Sequence, residues 1–132
     1  MTGLKEMVAE ARGRVREISP ADVKAALEGD EELVVLDVRE PHEFARGHLP
    51  GAINVPRGML ELTADADSPV ADPDVADKRD ARVVTYCLKA PGARSLFAAD
   101  TLATMGFANV AAMTAGVSGW REAGLPLEAL AD

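Results

Sequence analysis

One cysteine, Cys87, and two cations behind it, Lys89 and Arg94, are the residues whose types and spacing could do chemistry together in this 132-residue chain. The segment reads Val83-Val84-Thr85-Tyr86-Cys87-Leu88-Lys89-Ala90-Pro91-Gly92-Ala93-Arg94-Ser95. A buried strand ending at the cysteine, a Pro- and Gly-containing loop and a helix opening near Ala93 are predicted. Cys87 would then sit beyond the carboxyl end of a strand, where open α/β sheets bind ligands. Loop amides converging on the sulfur and the positive end of the helix both favour thiolate over thiol, and the thiolate is the nucleophile. Lys89 and Arg94 complete an anion cradle around it. The competing reading of a lone cysteine among aliphatic residues is a small buried hydrophobe.

The elements that must position this segment are written in alternating strand and helix patterns. Leu33–Leu36 and Arg82–Tyr86 are runs of strand length suited to burial on both faces, Asn109–Ala112 is a weaker third, and Val15–Ile18 is a further short strand. Ser19 supplies an N-cap, Pro20 a first helical position and Asp22 an acid in the first turn, so a helix follows over 20–28 and stops near Gly29. The segment 93–105 is the best helix, with Ala98, Leu102 and Met105 facing inward and Gly106 as the stop. Strand–helix alternation predicts an α/β fold. Residues 1–14 form a helical extension, with Leu4, Met7, Val8 and Ala11 spaced for one amphipathic face, and 15–132 form one domain. The stretch Thr63–Ala81 carries Asp65, Asp67, Asp72, Asp74, Asp77 and Asp80 without calcium-loop spacing, and reads as a solvated loop.

Composition narrows the function classes. With 14 basic against 22 acidic residues the net charge is −8, which opposes binding to nucleic acid or an anionic membrane surface. A single cysteine excludes an intramolecular disulfide, and with only His42 and His48 to help it leaves a zinc site short of ligands. No phosphate-binding glycine motif follows the first buried strand, so no nucleotide, flavin or other cofactor is expected. No apolar run approaches the roughly 20 residues of a membrane span. Lys5, Glu6 and Glu10 among the first apolar positions do not fit a signal peptide, and a cytoplasmic, reducing compartment is expected.

Three blocks resemble the rhodanese family of sulfurtransferases, and the resemblance runs from about Ile18 to Glu128. The first is Leu36-Asp37-Val38-Arg39-Glu40, continued by Glu43-Phe44-Ala45-Arg46-Gly47-His48-Leu49-Pro50-Gly51-Ala52-Ile53-Asn54-Val55-Pro56. The second is the loop from Tyr86-Cys87 to Arg94-Ser95. The third is Ala115-Gly116-Val117-Ser118-Gly119-Trp120-Arg121-Glu122-Ala123-Gly124-Leu125-Pro126.

The resemblance implies a rhodanese-like fold, an approximately five-stranded parallel sheet flanked by helices. It implies that Cys87 attacks a small anionic sulfur donor, thiosulfate or a related persulfide, and bears the transferred sulfur as a persulfide. Cyanide, a thiol or a protein would be the acceptor. Carried over, Leu88, Ala90, Gly92 and Ala93 would line the cradle with amides, Arg94 would grip the anion, and Lys89 would add a mobile charge. Asp37, Arg39 and Glu43 are assigned to ion pairs that brace neighbouring loops. His48 is read as a hydrogen-bonded structural histidine and Trp120 as packing for the last helix; His42 is read as exposed. Six residues separate Cys87 from Arg94, more than in typical sulfurtransferase members or in rhodanese-fold phosphatases and arsenate reductases. The extra residues, with Pro91 stiffening the turn, either fold outward or widen the cradle, which would then admit a larger oxyanion or a bulky donor such as glutathione persulfide. Two other classes stay open. One is a phosphatase or arsenate reductase of the same fold, opposed by Tyr86 where such phosphatases usually have histidine. The other is a persulfide carrier or docking module using the N-terminal helix and the acidic stretch.

Overall fold

The computed structural model describes residues 2–130; Met1, Ala131 and Asp132, at the outer ends of the two segments expected above, lie outside the described residues. The apolar runs become strands of one sheet. β1 (Arg16–Glu17), β2 (Leu33–Asp37), β3 (Ile53–Asn54), β4 (Arg82–Tyr86) and β5 (Asn109–Met113) pair in parallel in the order β1-β5-β4-β2-β3. The helices are α1 (Leu4–Arg14), α2 (Pro20–Glu28), α3 (Pro41–Arg46), α4 (Leu60–Ala64), α5 (Pro73–Ala76), α6 (Ala93–Thr104) and α7 (Gly116–Glu122), with a 3-10 turn at Arg57–Met59. The α/β class expected from the sequence is the one observed. β2 and β4 are covered on both faces, which is why they read as unbroken apolar runs rather than alternating ones.

Pleating sends alternate residues to two cores. Val34, Leu36 and Val83 meet Ala98 and Leu102 of α6 on one face. Val35, Val84, Tyr86 and Met113 meet Val23 of α2 and Val117 and Trp120 of α7 on the other. The register sets Asp37, Tyr86 and Met113 side by side, so β2, β4 and β5 finish level and the loops after them open on one edge. A cavity of about 670 Å³ lies at the opposite edge, around Arg16, Leu33 and Arg82, away from Cys87.

Local rules placed several elements well. Ser19 Oγ accepts the Asp22 N–H at 3.1 Å and Pro20 opens α2, as the capping pattern required. Two expectations need correction. Of the apolar stripe on α1, only Val8 and Ala11 are buried, against Leu96, Ala99 and Ala112; Leu4 and Met7 stay exposed because the stripe is wider than the surface it covers. The acidic stretch is not solvated throughout. Asp72 caps α5 by accepting the Asp74 N–H, and Val75 and Ala76 are buried between the exposed aspartates. Among the described residues, no helix is long and apolar enough to cross a membrane, and no three His, Cys, Asp or Glu side chains are grouped to hold a metal.

Candidate active site

Cys87 follows β4 directly; it is a free thiol, buried beneath its own loop. Its carbonyl and that of Leu88 accept the N–H groups of Val117 and Ser118, at 3.1 and 2.9 Å, from the first turn of α7. In a trans peptide the N–H points opposite the C=O, so the amides of Leu88 and Lys89 are turned away from α7. Neither they nor Ala90 have an acceptor among the described residues, and the same holds for Ala93, Arg94 and Ser95 in the first turn of α6. The Gly92 amide, expected in the cradle, is not free: it donates to the Lys89 carbonyl at 3.0 Å and closes the turn. Gly92 contributes conformation instead. At φ 79° it lies in the left-handed region, and a Cβ there would meet Thr114 Cα at 2.8 Å. Ser95 Oγ donates to the Gly92 carbonyl and Thr85 Oγ1 to the Ser95 carbonyl, which fixes the loop to the helix start.

Gly116 sets how closely α7 approaches this loop. Its φ is 63°, and a Cβ would lie 2.4 Å from Leu88 C and 2.7 Å from Lys89 N, all backbone atoms with no freedom to rotate aside. Gly116→Ala is therefore expected to cost about 2–4 kcal/mol, from strain and overpacking together. Urea unfolding checks this; a loss below about 0.5 kcal/mol, the range of a neutral surface change, would contradict it.

Behind the loop lies a buried charge network. The fully buried Asp37 carboxylate pairs with Arg39, whose Nη2 is 2.7 Å from Oδ2 and whose backbone N–H donates to Oδ1 at 2.9 Å. Tyr86 Oη donates to Asp37 Oδ2 at 2.6 Å and accepts the Leu49 N–H. Burial, reinforced by the Asp37 charge, pushes the Tyr86 phenol far above its ordinary range, so it stays a neutral donor. Burial alone would lower the Arg39 pKa, but the hydrogen bonds and charge of Asp37, with smaller contributions from Tyr86 and Glu43, together outweigh it. A second Arg39 bond, Nη2 to the Gly47 carbonyl at 2.7 Å, ties α3 to the network. Asp37 and Arg39 thus form the expected ion pair.

Glu43 belongs to a different pair. Its carboxylate accepts Arg94 Nη1 and Nη2 at 2.8 and 3.3 Å and the Glu40 N–H at 3.0 Å. The Arg94 hydrogen bonds pull the Glu43 pKa down from 4.5 to about 2, and the same bonds raise that of Arg94, with a smaller contribution from Cys87. A depressed carboxyl pKa stabilises the fold above the unfolded value and loses that contribution as pH falls through the folded one. The Arg94 side chain is 38% exposed, so screening leaves about 1 kcal/mol or less. Urea unfolding should show Glu43→Gln less stable than wild type at pH 7, with the gap closing between pH 4.5 and 2; a gap that persists at pH 2 would contradict the assignment.

The remaining expected residues are scattered by role. Lys89 is exposed, and its side chain makes no hydrogen bond or ion pair among the described residues. His48 is buried; its Nδ1–H donates to the Phe44 carbonyl at 2.8 Å and its ring stacks on Phe44 at 3.7 Å. Trp120 is buried in the α7 face of the core and donates to the Pro126 carbonyl. His42 is exposed. Sequence reasoning missed Gly116, Thr85 and Ser95 as loop supports. It also missed Tyr86, whose hydroxyl on a buried strand called for a partner.

The description "Rhodanese-like domain" matches residues 19–123 of this chain. The chain belongs to the rhodanese-like domain family. The α1 helix lies before the matched segment, against α6, and Arg12 Nη2 donates to the Pro91 carbonyl of the Cys87 loop. The rhodanese-like chain is similar to a sulfurtransferase from Allochromatium vinosum, at 30% identity over 87% of this chain and 96% of that one. It is 36% identical to a thiosulfate sulfurtransferase of Arabidopsis thaliana chloroplasts, over 71% of this chain and 78% of that one. A solved structure from Rhodopseudomonas palustris CGA009, described as a protein of unknown function and possible tyrosine phosphatase, superposes with a TM-score of 0.87. It is 37% identical to the rhodanese-like chain and covers 97% of it, with 96% of its own length matched.

Proposed function

We propose that this rhodanese-like domain is a sulfurtransferase with Cys87 as its nucleophile. The Cys87 thiolate attacks the sulfane sulfur of thiosulfate or an organic persulfide. The donor S–S bond breaks, and sulfite or a thiolate leaves with the bonding pair. Cys87 now carries a persulfide, and the acceptor (cyanide, a thiol or a protein) attacks its outer sulfur and restores the Cys87 thiolate. No oxidant or reductant enters. The chain's single cysteine means that the acceptor comes from outside it. A free nucleophilic thiol suits a reducing compartment, and the cytoplasm is the proposed location.

One observation supports the reading above the others: the amides of Leu88, Lys89, Ala90, Ala93 and Arg94, in the loop and helix start that follow the single cysteine, have no acceptor among the described residues. Donors fixed before the reaction stabilise both a thiolate and the charge that develops on a departing anion. Arg94 has five N–H donors and gives two to Glu43, so three remain for a sulfonate; Lys89 supplies a mobile charge at the rim. Thiosulfate and cyanide varied together should give parallel double-reciprocal lines, the mark of two successive displacements. Failure of every sulfane donor to turn over would overturn the reading.

The Rhodopseudomonas palustris structure supports a second reading, a phosphatase with Cys87 attacking phosphorus and Arg94 holding the phosphate. Such a reaction needs an acid to protonate the leaving group. Glu43, on Arg94, is held ionised at neutral pH and is unsuited to that role. Turnover of p-nitrophenyl phosphate that requires both Cys87 and Arg94 would favour this reading.

A further inference from the structure

We propose that a pocket beside the Cys87 loop binds the carboxylate of a low-molecular-weight thiol or persulfide, the organic partner in sulfur transfer. The proposal rests on the sulfurtransferase reading and extends it. A pocket of about 280 Å³ opens between α3 and α7, with Leu88 and Val117 among its walls. Three arginines line it, Arg39, Arg46 and Arg121, against one acid, Glu43. Arg39 is committed to Asp37 and the Gly47 carbonyl, and Glu43 to Arg94. Arg46 and Arg121 have no ion pair or side-chain hydrogen bond among the described residues. The lining therefore carries a net charge of +2, three positive minus one negative, on a chain whose total is −8.

The shape and chemistry select the ligand. Two unpaired guanidinium groups offer forked donors that match a carboxylate. Arg121 reaches across to Gly47, another lining residue, where a Cβ would be 3.9 Å from its Nη2. Leu88, 39% exposed, provides an apolar wall for a methylene stem and is the residue next to the nucleophile. An inorganic oxyanion has no use for that wall, and a volume at the small end of ligand pockets suits a small thiol acid. That Arg46 and Arg121 share a pocket was not legible in the sequence, since Arg46 ends α3, Arg121 lies in the last turn of α7, and only the fold brings the two motifs to one site.

The test uses the full chain as Cys87→Ser, so that no sulfur moves, titrated by amide NMR with 3-mercaptopropionate and, separately, with 2-mercaptoethanol. The acid should shift the amides of Gly47, Leu88, Ser118 and Arg121 and bind at least about tenfold tighter than the alcohol. Adding R46Q and R121Q together should remove that preference, with the melting temperature confirming that the chain is folded. Equal binding of the two thiols, undiminished binding in R46Q/R121Q, or shifts confined to the groove of Leu4, Val8 and Ala93 would each overturn the proposal. Sulfur uptake by wild-type Cys87 from thiosulfate is measured in parallel. Uptake without a carboxylate preference overturns the pocket alone; binding without uptake overturns the sulfurtransferase reading and leaves the pocket as a carboxylate site.

Discussion

Cys87→Ser is expected to lower sulfur transfer by at least about 10⁴-fold, the scale seen when the nucleophile of a covalent mechanism is removed. The reason lies in the atom, not in the fold. A serine hydroxyl is not ionised near neutral pH, and oxygen cannot hold the persulfide that splits the reaction into two steps. Cys87 is buried against Val83, Ala98 and other apolar residues, so a hydroxyl there also carries a desolvation cost of about 1–2 kcal/mol. Cys87→Ala separates the two effects. It should melt closer to wild type and be equally inactive in thiosulfate and cyanide. Residual turnover above about 1% in both variants would mean that another group carries the sulfur.

Asp37→Ala is expected to be the most destabilising single change, by about 3–5 kcal/mol. It leaves the Arg39 guanidinium, 4% exposed, with the Gly47 carbonyl as its one remaining hydrogen-bond acceptor among the described residues, and strips Tyr86 of its acceptor. An uncompensated buried charge costs far more than the intact pair contributes. For a chain of this length the melting temperature should fall by on the order of 10 °C or more. Replacing Arg39 by methionine in the same chain should recover much of the loss, because no buried charge is then unpaired. Since Tyr86 precedes Cys87, the single variant should also lose activity beyond its folded fraction. A melting temperature within about 2 °C of wild type would show that the network does not hold this edge of the sheet.

How much was legible beforehand follows from how local each signal is. β2, β4 and α2 were readable because each is set by its own residues: unbroken apolar runs, and Ser19-Pro20 at a helix start. Cys87 and its loop were readable for the same reason, as strand, turn and helix are contiguous. α5 was not, because Val75 and Ala76 are too few to form a pattern among aspartates, and only packing shows that they are buried. The partner of Glu43 was not readable either. Asp37 and Arg39 are two residues apart and pair locally, whereas Arg94 reaches Glu43 only because α3 and the start of α6 meet across the sheet edge. Gly116 was visible as a glycine in a motif, but its necessity depends on how near Leu88 passes.

The central claim is that Cys87 itself takes up sulfur. Intact-mass measurement of the protein after incubation with thiosulfate tests it most directly. The expected result is a gain of roughly 32 Da, one sulfur, in wild type, absent in Cys87→Ser and reversed by cyanide. An unchanged wild-type mass with thiosulfate and with organic persulfides, or the same gain in Cys87→Ser, would contradict it.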